Sequence, residues 1–343
     1  MDILRQTYQE IGSEFWDIPI GVEQNHLFSE RTKWFLSGRT ALRYILKNIK
    51  KTHLCRTASL PSWCCDSMIR PFLEEGYQVS FYSVYWKHNE LHMDIKDSIQ
   101  SDVTLLMDYF GFIREYNIDK KSCGIIIRDV THSLFSMKDK TADYYFGSLR
   151  KWAGFYTGGF AWSDKEWMEC VIGELDERYV NMRKMAMEAK FDYINQRSMD
   201  KSYLSAFRKA EEYLEQSKDI CPASYEDMSF ARYIDVSLVR KKRRENAQIL
   251  LDNLEEYIIF KDIQAEECPM FVPILVENRD DLRNYLIAHD IYCPVHWPIS
   301  ECHKLTEKER YIYEHELSLV CDQRYHSEAM IRMIETIQKF KTM

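Results

Sequence analysis

The sequence has no run of about 18 uncharged apolar residues, so we expect no membrane-spanning helix. Its opening residues, MDILRQTYQEIGSEFWDIPI, contain no apolar stretch of the kind that a secretory signal needs. Positive charge is not in excess either, because the formal net charge is -8. These absences argue against a membrane partner and against general affinity for nucleic acid, and they leave small molecules as the expected partners.

Two motifs are missing as well. The ten cysteines form no C-x-x-C pair, so the sequence predicts no metal site. No G-x-G-x-x-G motif follows a strand pattern, which argues against a dinucleotide-dependent oxidoreductase. Scattered cysteines in a chain of 343 residues are typical of reduced, packed thiols, and we therefore expect a cytoplasmic protein.

Short apolar runs alternate with helical patterns in the first half of the chain. SGRTALRYILKNIKK has apolar residues at helical spacing, and a second helix is predicted from about Trp63 to Glu75. Strand patterns are found in CRTASLP, YQVSFYSV, VTLLMDYFG and CGIIIRDV. This alternation predicts an α/β fold with a mostly parallel sheet, and ligands bind such sheets beyond the carboxyl ends of the strands.

The pattern changes after Gly159. From about Asp164 to Glu256 the chain is polar and helical, and PMFVPILVENRDDLRNYLIAHDIYCPVHWP then predicts a strand, a helix and a strand. We therefore expect a large domain at 1–235, which includes the helical connector, and a small α+β domain at 236–343. The basic run RKKRREN near the boundary is interpreted as a solvated helix face.

Four residues near the middle of the chain are candidates for one site: Asp129, His132, Ser148 and Lys151. A cofactor that accepts electrons through a pyridine ring needs a carboxylate at the ring nitrogen and a lysine that forms a Schiff base. Its phosphate needs hydroxyl and N–H groups, preferably at a helix N-terminus. The SGRT turn before the first predicted helix offers such groups on Gly38, Arg39 and Thr40.

Each of these signals has a simpler explanation when it is taken alone. A strand-end aspartate is usually a cap or an ion-pair partner, and a lone histidine such as His132 is usually a hydrogen-bonded, partly buried residue. The order of the four residues on the predicted elements makes their combination more specific. Asp108 and Tyr109 end a neighbouring strand pattern, where a pocket role and a capping role are both open, and His296 and Trp297 are further candidates from the small domain.

Together these segments resemble a fold-type-I pyridoxal-phosphate enzyme, and most closely the DegT/StrS family of sugar aminotransferases. SGRTALRYIL resembles the family's phosphate-binding turn and first helix, and LPSWCCDSMIRPF resembles its proline-ended strand and the helix after it. RDVTHS is similar to the family's acidic segment, FGSLRKWAGFYTGG to its lysine loop, and LIAHDIYCPVHWP to its C-terminal strand. The resemblance implies a large, mostly parallel-sheet domain followed by a smaller C-terminal α+β domain.

The resemblance also implies a role for each matching residue. Lys151 forms the Schiff base with pyridoxal 5'-phosphate, Asp129 pairs with the pyridine nitrogen, and His132 lies near the ring hydroxyl. Ser148 and the turn at 38–40 hold the phosphate.

Two positions depart from the family's usual pattern. Many members stack an aromatic ring on the cofactor from four positions after the proline, where this chain has Cys65. Two alternatives are open here: Trp63, two positions after Pro61, takes that place, or the face of the cofactor ring meets a smaller residue. Many sugar aminotransferases have four residues between the serine and the lysine, whereas this chain has two, as is common elsewhere among fold-type-I enzymes.

By resemblance, the expected reaction is a transamination. Glutamate or glutamine would donate the amino group to a carbonyl acceptor, a keto sugar or a nucleotide-linked keto sugar, and the protein would act as a homodimer. The alternatives are another pyridoxal-phosphate reaction, as in a lyase or decarboxylase, and a protein of this fold without catalysis. The related dehydratases typically have histidine in place of the lysine, so Lys151 argues against that branch.

Overall fold

The computed structural model describes residues 10–95, 100–112, 116, 118, 120–136 and 141–342. The described strands are β1 (Ile11–Gly12), β2 (Lys33–Phe35), β3 (Thr57–Pro61), β4 (Gln78–Tyr82), β5 (Val84–Lys87), β6 (Glu90–Met93), β7 (Val103–Met107), β8 (Ile125–Asp129), β9 (Tyr144–Ser148), β10 (Gly159–Trp162), β11 (Phe271–Leu275), β12 (Ile291–Tyr292) and β13 (Glu316–Val320). The described helices are α1 (Gly38–Thr52), α2 (Asp66–Glu74), α3 (Lys120–Cys123), α4 (Glu177–Ile194), α5 (Tyr203–Gln216), α6 (Tyr225–Ala231), α7 (Val236–Asn253), α8 (Arg279–Ala288), α9 (Glu307–His315) and α10 (Ser327–Lys341). Within these residues no helix is both long enough and apolar enough to span a membrane.

Seven of the strands form one sheet, in the order β2-β10-β9-β8-β7-β3-β4. The strands from β9 to β4 pair in parallel, whereas β10 pairs antiparallel with both β9 and β2. β7 consists of five buried residues, as expected of a central strand that is covered on both sides. The predicted α/β fold with a mostly parallel sheet is confirmed.

The first long helix shows how the local sequence selects this structure. Ser37 caps α1, because its Oγ accepts a hydrogen bond of 3.2 Å from the backbone N–H of Thr40. Leu42, Ile45 and Ile49 recur at helical spacing and are fully buried. α1 packs against β9 and β10. A Cβ added at Gly38 would lie 3.5 Å from the Cβ of Ser148, so the N-terminus of α1 lies at the carboxyl end of β9.

A second hydrophobic core lies around the antiparallel pair of β11 and β13, in the C-terminal part of the chain. α7, whose N-terminus is capped by Asp235, contributes Leu250 to this core, and α8 contributes Leu286. Ile11 also belongs to this core and pairs with Ile291 of β12, so residues near the start of the chain contact its C-terminal unit. The division into 1–235 and 236–343 stays a prediction.

The basic run in α7 is not a uniformly solvated face. Arg243 is buried, and its guanidinium lies 4.3 Å from the ring centroid of Trp152. One guanidinium nitrogen, Nη1, donates a hydrogen bond of 2.8 Å to the carbonyl of Met270. Lys241 on the same run remains exposed. The interpretation of RKKRREN as a solvated face is therefore wrong for Arg243, because a tryptophan ring and a carbonyl group take the place of water around it.

Gly159 at the start of β10 is a position where a side chain cannot be accommodated. A Cβ added there would lie 2.0 Å from the carbonyl oxygen of Ser37, the capping residue of α1. We expect Gly159→Ala to lower the free energy of unfolding by about 3 kcal/mol, because backbone rather than a flexible side chain would have to move. Chemical denaturation of the purified variant measures this loss.

Gly173→Ala is the matched control. The atom nearest to its added Cβ is the carbonyl oxygen of Ile220 at 3.6 Å, an ordinary contact. This control is expected to be neutral or slightly stabilising, because alanine restricts the unfolded chain. Equal stability of the two variants would contradict the close approach of β10 to the start of α1.

Candidate active site

Two cavities meet near the carboxyl edge of the large sheet. The smaller has a volume of about 130 Å³ and the larger about 480 Å³. Arg150, Lys151 and Glu211 line both of them. Lys151 therefore lies at the junction of a small cavity near the sheet and a larger one that extends toward the C-terminal unit.

The sheet places three of the predicted residues on the wall of the small cavity. Asp129 is the last residue of β8, Ser148 is the last residue of β9, and Lys151 lies in the single 3-10 turn that follows β9. These ends reach the same edge because β8 and β9 are parallel neighbours. Lys151 is exposed, and its Nζ has no hydrogen-bond or ion-pair partner among the described residues.

The two strand-end aspartates have different environments. Asp129 lines the small cavity, and its Oδ1 accepts a hydrogen bond of 2.7 Å from the backbone N–H of Thr131. Asp108 follows β7 and does not line either cavity. Its Oδ1 lies 2.7 Å from Arg128 Nη2 in a buried ion pair, and its Oδ2 accepts a hydrogen bond of 2.5 Å from Ser133 Oγ. Asp108 therefore has a structural role at the end of its strand, as a buried ion-pair partner, and not a role in the pocket.

Unpartnered polar atoms lie at the end of the small cavity where α1 begins. Gly38 and Arg39, the first two residues of α1, line this end together with Ser148. Ser148 Oγ and Arg39 Nε are buried and have no hydrogen-bond partner. The start of a helix also presents backbone N–H groups without partners in the helix, and its dipole favours negative charge. This end of the cavity is therefore suited to an anion.

His132 lies on the wall of the small cavity as a neutral imidazole. Burial, and then the charge of Lys151, lower the pKa of His132 to about 3. Its Nδ1 accepts a hydrogen bond of 3.3 Å from the backbone N–H of Phe110, so Nε2 carries the ring proton. The Trp297 ring stacks on it at 5.5 Å between centroids. His132 thus contributes an N–H donor and no charge.

Two predicted residues lie outside the walls of the cavities. The Oγ1 of Thr40 is 3.0 Å from Ser37 Oγ inside the cap of α1. Trp63 is fully buried, stacks on Tyr109 at 4.8 Å between ring centroids, and donates its indole N–H to the carbonyl of His296 at 2.7 Å. Cys65, four positions after the proline, does line the small cavity. The chain therefore presents a thiol, rather than the indole of Trp63, to this part of the site.

A network of four charged groups adjoins Lys151, and no local sequence pattern predicts it. Arg150 Nη1 lies 2.5 Å from Glu211 Oε1, and Arg183 Nη1 lies 3.3 Å from both Glu211 Oε1 and Glu14 Oε2. Burial raises the pKa of Glu211, but the charges of Arg150, Arg183 and Lys151 outweigh it and hold that pKa at about 2. The network therefore keeps a negative charge close to Lys151.

Arg183 lies on α4. Its side chain is fully buried and is bound by carboxylates of its own chain.

The large cavity brings basic groups of α5, α7 and α8 together. Arg208, Arg243 and Arg283 line it and form no ion pair among the described residues. Arg243 is buried, and its Nη2 has no hydrogen-bond partner. A fourth guanidinium on the wall, that of Arg324, is neutralised by Asp322, with Nη2 and Oδ2 2.7 Å apart. The wall therefore carries positive charge that the surrounding protein does not balance.

The overall structure is similar to solved structures of pyridoxal-phosphate enzymes. Helicobacter pylori PseC, an aminotransferase involved in the biosynthesis of pseudoaminic acid, aligns with a TM-score of 0.62 and 14% identity over 96% of this chain and 100% of that chain. The putative sugar aminotransferase Spr1654 from Streptococcus pneumoniae, in its PLP form, aligns with a TM-score of 0.62 and 13% identity over 98% and 93% of the two chains.

A dehydratase shares this fold as well. The E. coli GDP-4-keto-6-deoxy-D-mannose-3-dehydratase with bound hydrated PLP aligns with a TM-score of 0.60 and 15% identity over 89% of this chain and 87% of that chain. No protein-family model and no curated protein sequence matches the chain. At such identities the likeness establishes the fold, and the expected fold-type-I architecture is thereby confirmed.

Proposed function

We propose that this protein is a pyridoxal-phosphate-dependent aminotransferase. The observation that carries the proposal is the position of Lys151 at the junction of two cavities. One cavity has a strand-end carboxylate, Asp129, and unpartnered polar atoms at a helix start, and the other has unbalanced positive charge. A lysine that binds a cofactor covalently and releases it to an anionic substrate needs a cofactor cavity on one side and a positively charged substrate cavity on the other.

The small cavity fits pyridoxal 5'-phosphate on the basis of its unpartnered atoms. Ser148 Oγ and Arg39 Nε are buried without partners, and a phosphate oxygen would satisfy both. Gly38, at the start of α1, adds backbone N–H capacity beside them. We assign the phosphate to these groups, the ring nitrogen to Asp129, and the aldehyde to Lys151.

The chain's own residues then have defined tasks. Bound pyridoxal phosphate supplies a protonated pyridine ring that accepts an electron pair from the substrate's α-carbon. The Asp129 carboxylate keeps that ring nitrogen protonated. The Nζ of Lys151, which has no partner among the described residues, takes the α-proton and returns it as a general base and acid. The Glu211 carboxylate stabilises the cationic form of Lys151 after it has accepted the proton.

The walls of the large cavity favour a substrate that carries negative charge. Arg208 and Arg283 lie on it without ion-pair partners, and Arg243 Nη2 is buried and unpartnered. Carboxylates and phosphates match the donors of a guanidinium group. We therefore propose glutamate or glutamine as the amino donor and a keto sugar, free or nucleotide-linked, as the acceptor. Lys151 in the lysine position is our reason to prefer transamination to the reaction of the dehydratase with the same fold.

We also propose that the enzyme is a cytoplasmic homodimer. Apolar side chains are exposed around the C-terminal end of α1, where Leu54 and Val171 are almost fully accessible. The hydrogen bond from Asn48 Nδ2 to the carbonyl of Met168 fixes the segment that carries Val171 against α1. Light scattering of the active enzyme at catalytic concentrations tests the dimer, and a fully active monomer would contradict it.

The absorbance spectrum tests the proposed function. The protein is incubated with pyridoxal phosphate, freed of excess cofactor, and measured before and after the addition of glutamate or glutamine. A visible band that one of these donors bleaches, with formation of one keto acid per site, supports an aminotransferase. A band that neither amino acid changes contradicts the proposed donors, and the lack of any band contradicts the cofactor.

Ser148→Ala separates a role in cofactor binding from a role in folding. We expect the cofactor-free variant to be as stable as wild type or slightly more stable, because a buried hydroxyl without a partner is removed. We expect the Kd for pyridoxal phosphate to rise about tenfold or more, because a hydrogen bond to a charged phosphate is lost. Calorimetric titration and thermal unfolding measure the two effects.

Ser163→Ala is the matched control, with the opposite pattern. Ser163 Oγ donates a hydrogen bond of 2.7 Å to the carbonyl of Asp143 and accepts one of 3.0 Å from the backbone N–H of Lys165. Its removal is expected to cost stability and leave the cofactor Kd unchanged. Unchanged cofactor affinity in Ser148→Ala would rule out the phosphate assignment.

A further inference from the structure

The C-terminal unit contributes a buried imidazole to the large cavity. His296 lines this cavity together with Lys151. Its ring contacts the rings of Phe110, Phe271 and His132, with 5.3 Å between the centroids of the two histidines. Burial lowers the pKa of His296 well below its usual value, and His132, once it is protonated, and the charge of Lys151 act in the same direction. The imidazole is therefore neutral, and one of its two nitrogens lacks a proton.

A three-residue hydrogen-bond chain determines which nitrogen that is. His296 Nδ1 lies 2.7 Å from Ser318 Oγ, and the same hydroxyl is hydrogen-bonded to Glu316 Oε1. Glu316 Oε2 accepts a hydrogen bond of 2.7 Å from the backbone N–H of His296. Glu316 and Ser318 lie on β13 and are completely buried. The chain Glu316–Ser318–His296 is thus closed off from solvent at the glutamate end and reaches the cavity at the histidine end.

A hydroxyl group has one proton, so Ser318 can donate to only one of its two neighbours. If Glu316 is ionised, it can only accept; Ser318 then donates to Glu316 and accepts from a proton on His296 Nδ1. If Glu316 is protonated, it donates to Ser318 from Oε1, and Ser318 donates to an unprotonated Nδ1. The proton of His296 then lies on Nε2.

We propose that Glu316, acting through the Ser318 hydroxyl, selects the tautomer of His296 and thereby decides whether its Nε2 offers the large cavity a hydrogen-bond donor or an acceptor. Among the described residues His296 Nε2 has no hydrogen-bond partner, so a substrate in the cavity is its natural partner. The inference about the tautomer rests on the hydrogen-bond chain, and only its consequence for catalysis rests on the proposed function.

Burial of Glu316 and the groups around the hydrogen-bond chain set the pH range in which the tautomer of His296 changes. Burial raises the pKa of Glu316 to about 8, although Ser318, the His296 N–H and Arg279 act in the opposite direction. Arg279 approaches from α8 and donates a hydrogen bond of 2.9 Å to the Glu316 carbonyl. At the histidine end, the charge of Lys151, and that of His132 when it is protonated, disfavour the doubly protonated form of His296. Glu316 is therefore protonated at neutral pH, and His296 presents an Nε2 donor that suits a carbonyl, carboxylate or hydroxyl oxygen of the substrate.

Histidine-selective ¹⁵N NMR of the cofactor-free protein tests the tautomer without any activity. His296→Asn assigns the signal. In wild type we expect the proton on Nε2 well below pH 8 and on Nδ1 well above it. Glu316→Gln keeps an amide donor toward Ser318 at every pH, so we expect the Nε2 form throughout. In Ser318→Ala the bridge is lost, and the tautomer should no longer follow the pH.

The exposed neighbour Glu314 provides the matched control, since Glu314→Gln should behave as wild type. The proposal is overturned if the His296 tautomer in wild type stays the same from well below to well above pH 8, or if it still changes with pH in Ser318→Ala. Conversion of His296 to the doubly protonated form over the same pH range also overturns it.

A kinetic experiment on the active holoenzyme tests the consequence for catalysis. We expect kcat/KM of wild type to fall about tenfold per pH unit above pH 8, and we expect no such fall in Glu316→Gln. If the protein proves not to be an aminotransferase, the NMR result still decides the proposal.

Discussion

Lys151→Ala is expected to abolish turnover and covalent cofactor attachment while leaving the fold intact. The Nζ of Lys151 has no hydrogen-bond or ion-pair partner within the described part of the chain, and its side chain is exposed, so its removal breaks no hydrogen bond and no ion pair. The same atom lies where both cavities meet and is assigned the proton transfers. A general base contributes roughly 10²- to 10⁴-fold to a rate, and the loss of the attachment point adds to this. We expect kcat to fall by about four orders of magnitude.

The measurement combines steady-state kinetics with borohydride reduction of the loaded enzyme and peptide mapping. In wild type the label should be found on Lys151, and in Lys151→Ala no labelled peptide should form. Lys165→Ala is the control, because Lys165 is a surface residue paired with Asp143 and should retain activity and labelling. Wild-type turnover in Lys151→Ala, or a label on another lysine in wild type, would disprove the assignment.

The parts of the site that the sequence could predict are those that follow strands. Asp129 and Ser148 are the last residues of parallel neighbours, and such ends meet at one edge whatever the details of packing. Lys151 follows Ser148 in the same turn, and Gly38 begins a helix whose cap is visible in the sequence. Local rules therefore sufficed to bring Gly38, Arg39, Asp129, His132, Ser148 and Lys151 to one cavity, although their chemical roles remain predictions.

The charged network beside Lys151 could not be predicted in this way. Its members Glu14, Arg150, Arg183 and Glu211 come from four separate segments, and each carries a charge that is ordinary on a surface. The packing of α4 and α5 beside the turn at Arg150 brings them together, with both arginines buried and both glutamates partly exposed. Sequence patterns show which face of a helix or strand is apolar, but they do not show which helices and strands pack against each other.

Trp63 illustrates a second limit. An aromatic residue close to the proline that ends β3 was a reasonable candidate for a cofactor contact, but its indole N–H donates to the His296 carbonyl in the C-terminal part of the chain. That long-range contact belongs to a fully buried ring, and Trp63 lines neither cavity. Cys65 begins α2 as its capping residue and therefore remains on the cavity wall, at the spacing from Pro61 that the resemblance indicated.

Asp129→Asn is expected to lower kcat about 10²- to 10³-fold with little effect on stability. Asparagine keeps the shape of the side chain and an oxygen that can accept the hydrogen bond from the Thr131 N–H. It removes the negative charge, and the loss of one preorganised electrostatic interaction costs roughly this factor. Steady-state kinetics at saturating pyridoxal phosphate, together with chemical denaturation, separates the two effects.

Asp108→Asn is the matched comparison, because Asp108 follows the neighbouring strand β7 and is equally buried. Its carboxylate is paired with Arg128 and Ser133 rather than with a cavity. Removing one partner of a buried ion pair typically costs about 3–5 kcal/mol, so Asp108→Asn should lose stability while its folded fraction keeps kcat near that of wild type. If Asp108→Asn instead showed the larger loss of kcat, or Asp129→Asn kept full activity, the carboxylate of the site would have to be reassigned. Opposite effects in the two variants would show that the cavity, and not the strand-end position alone, makes Asp129 a catalytic residue.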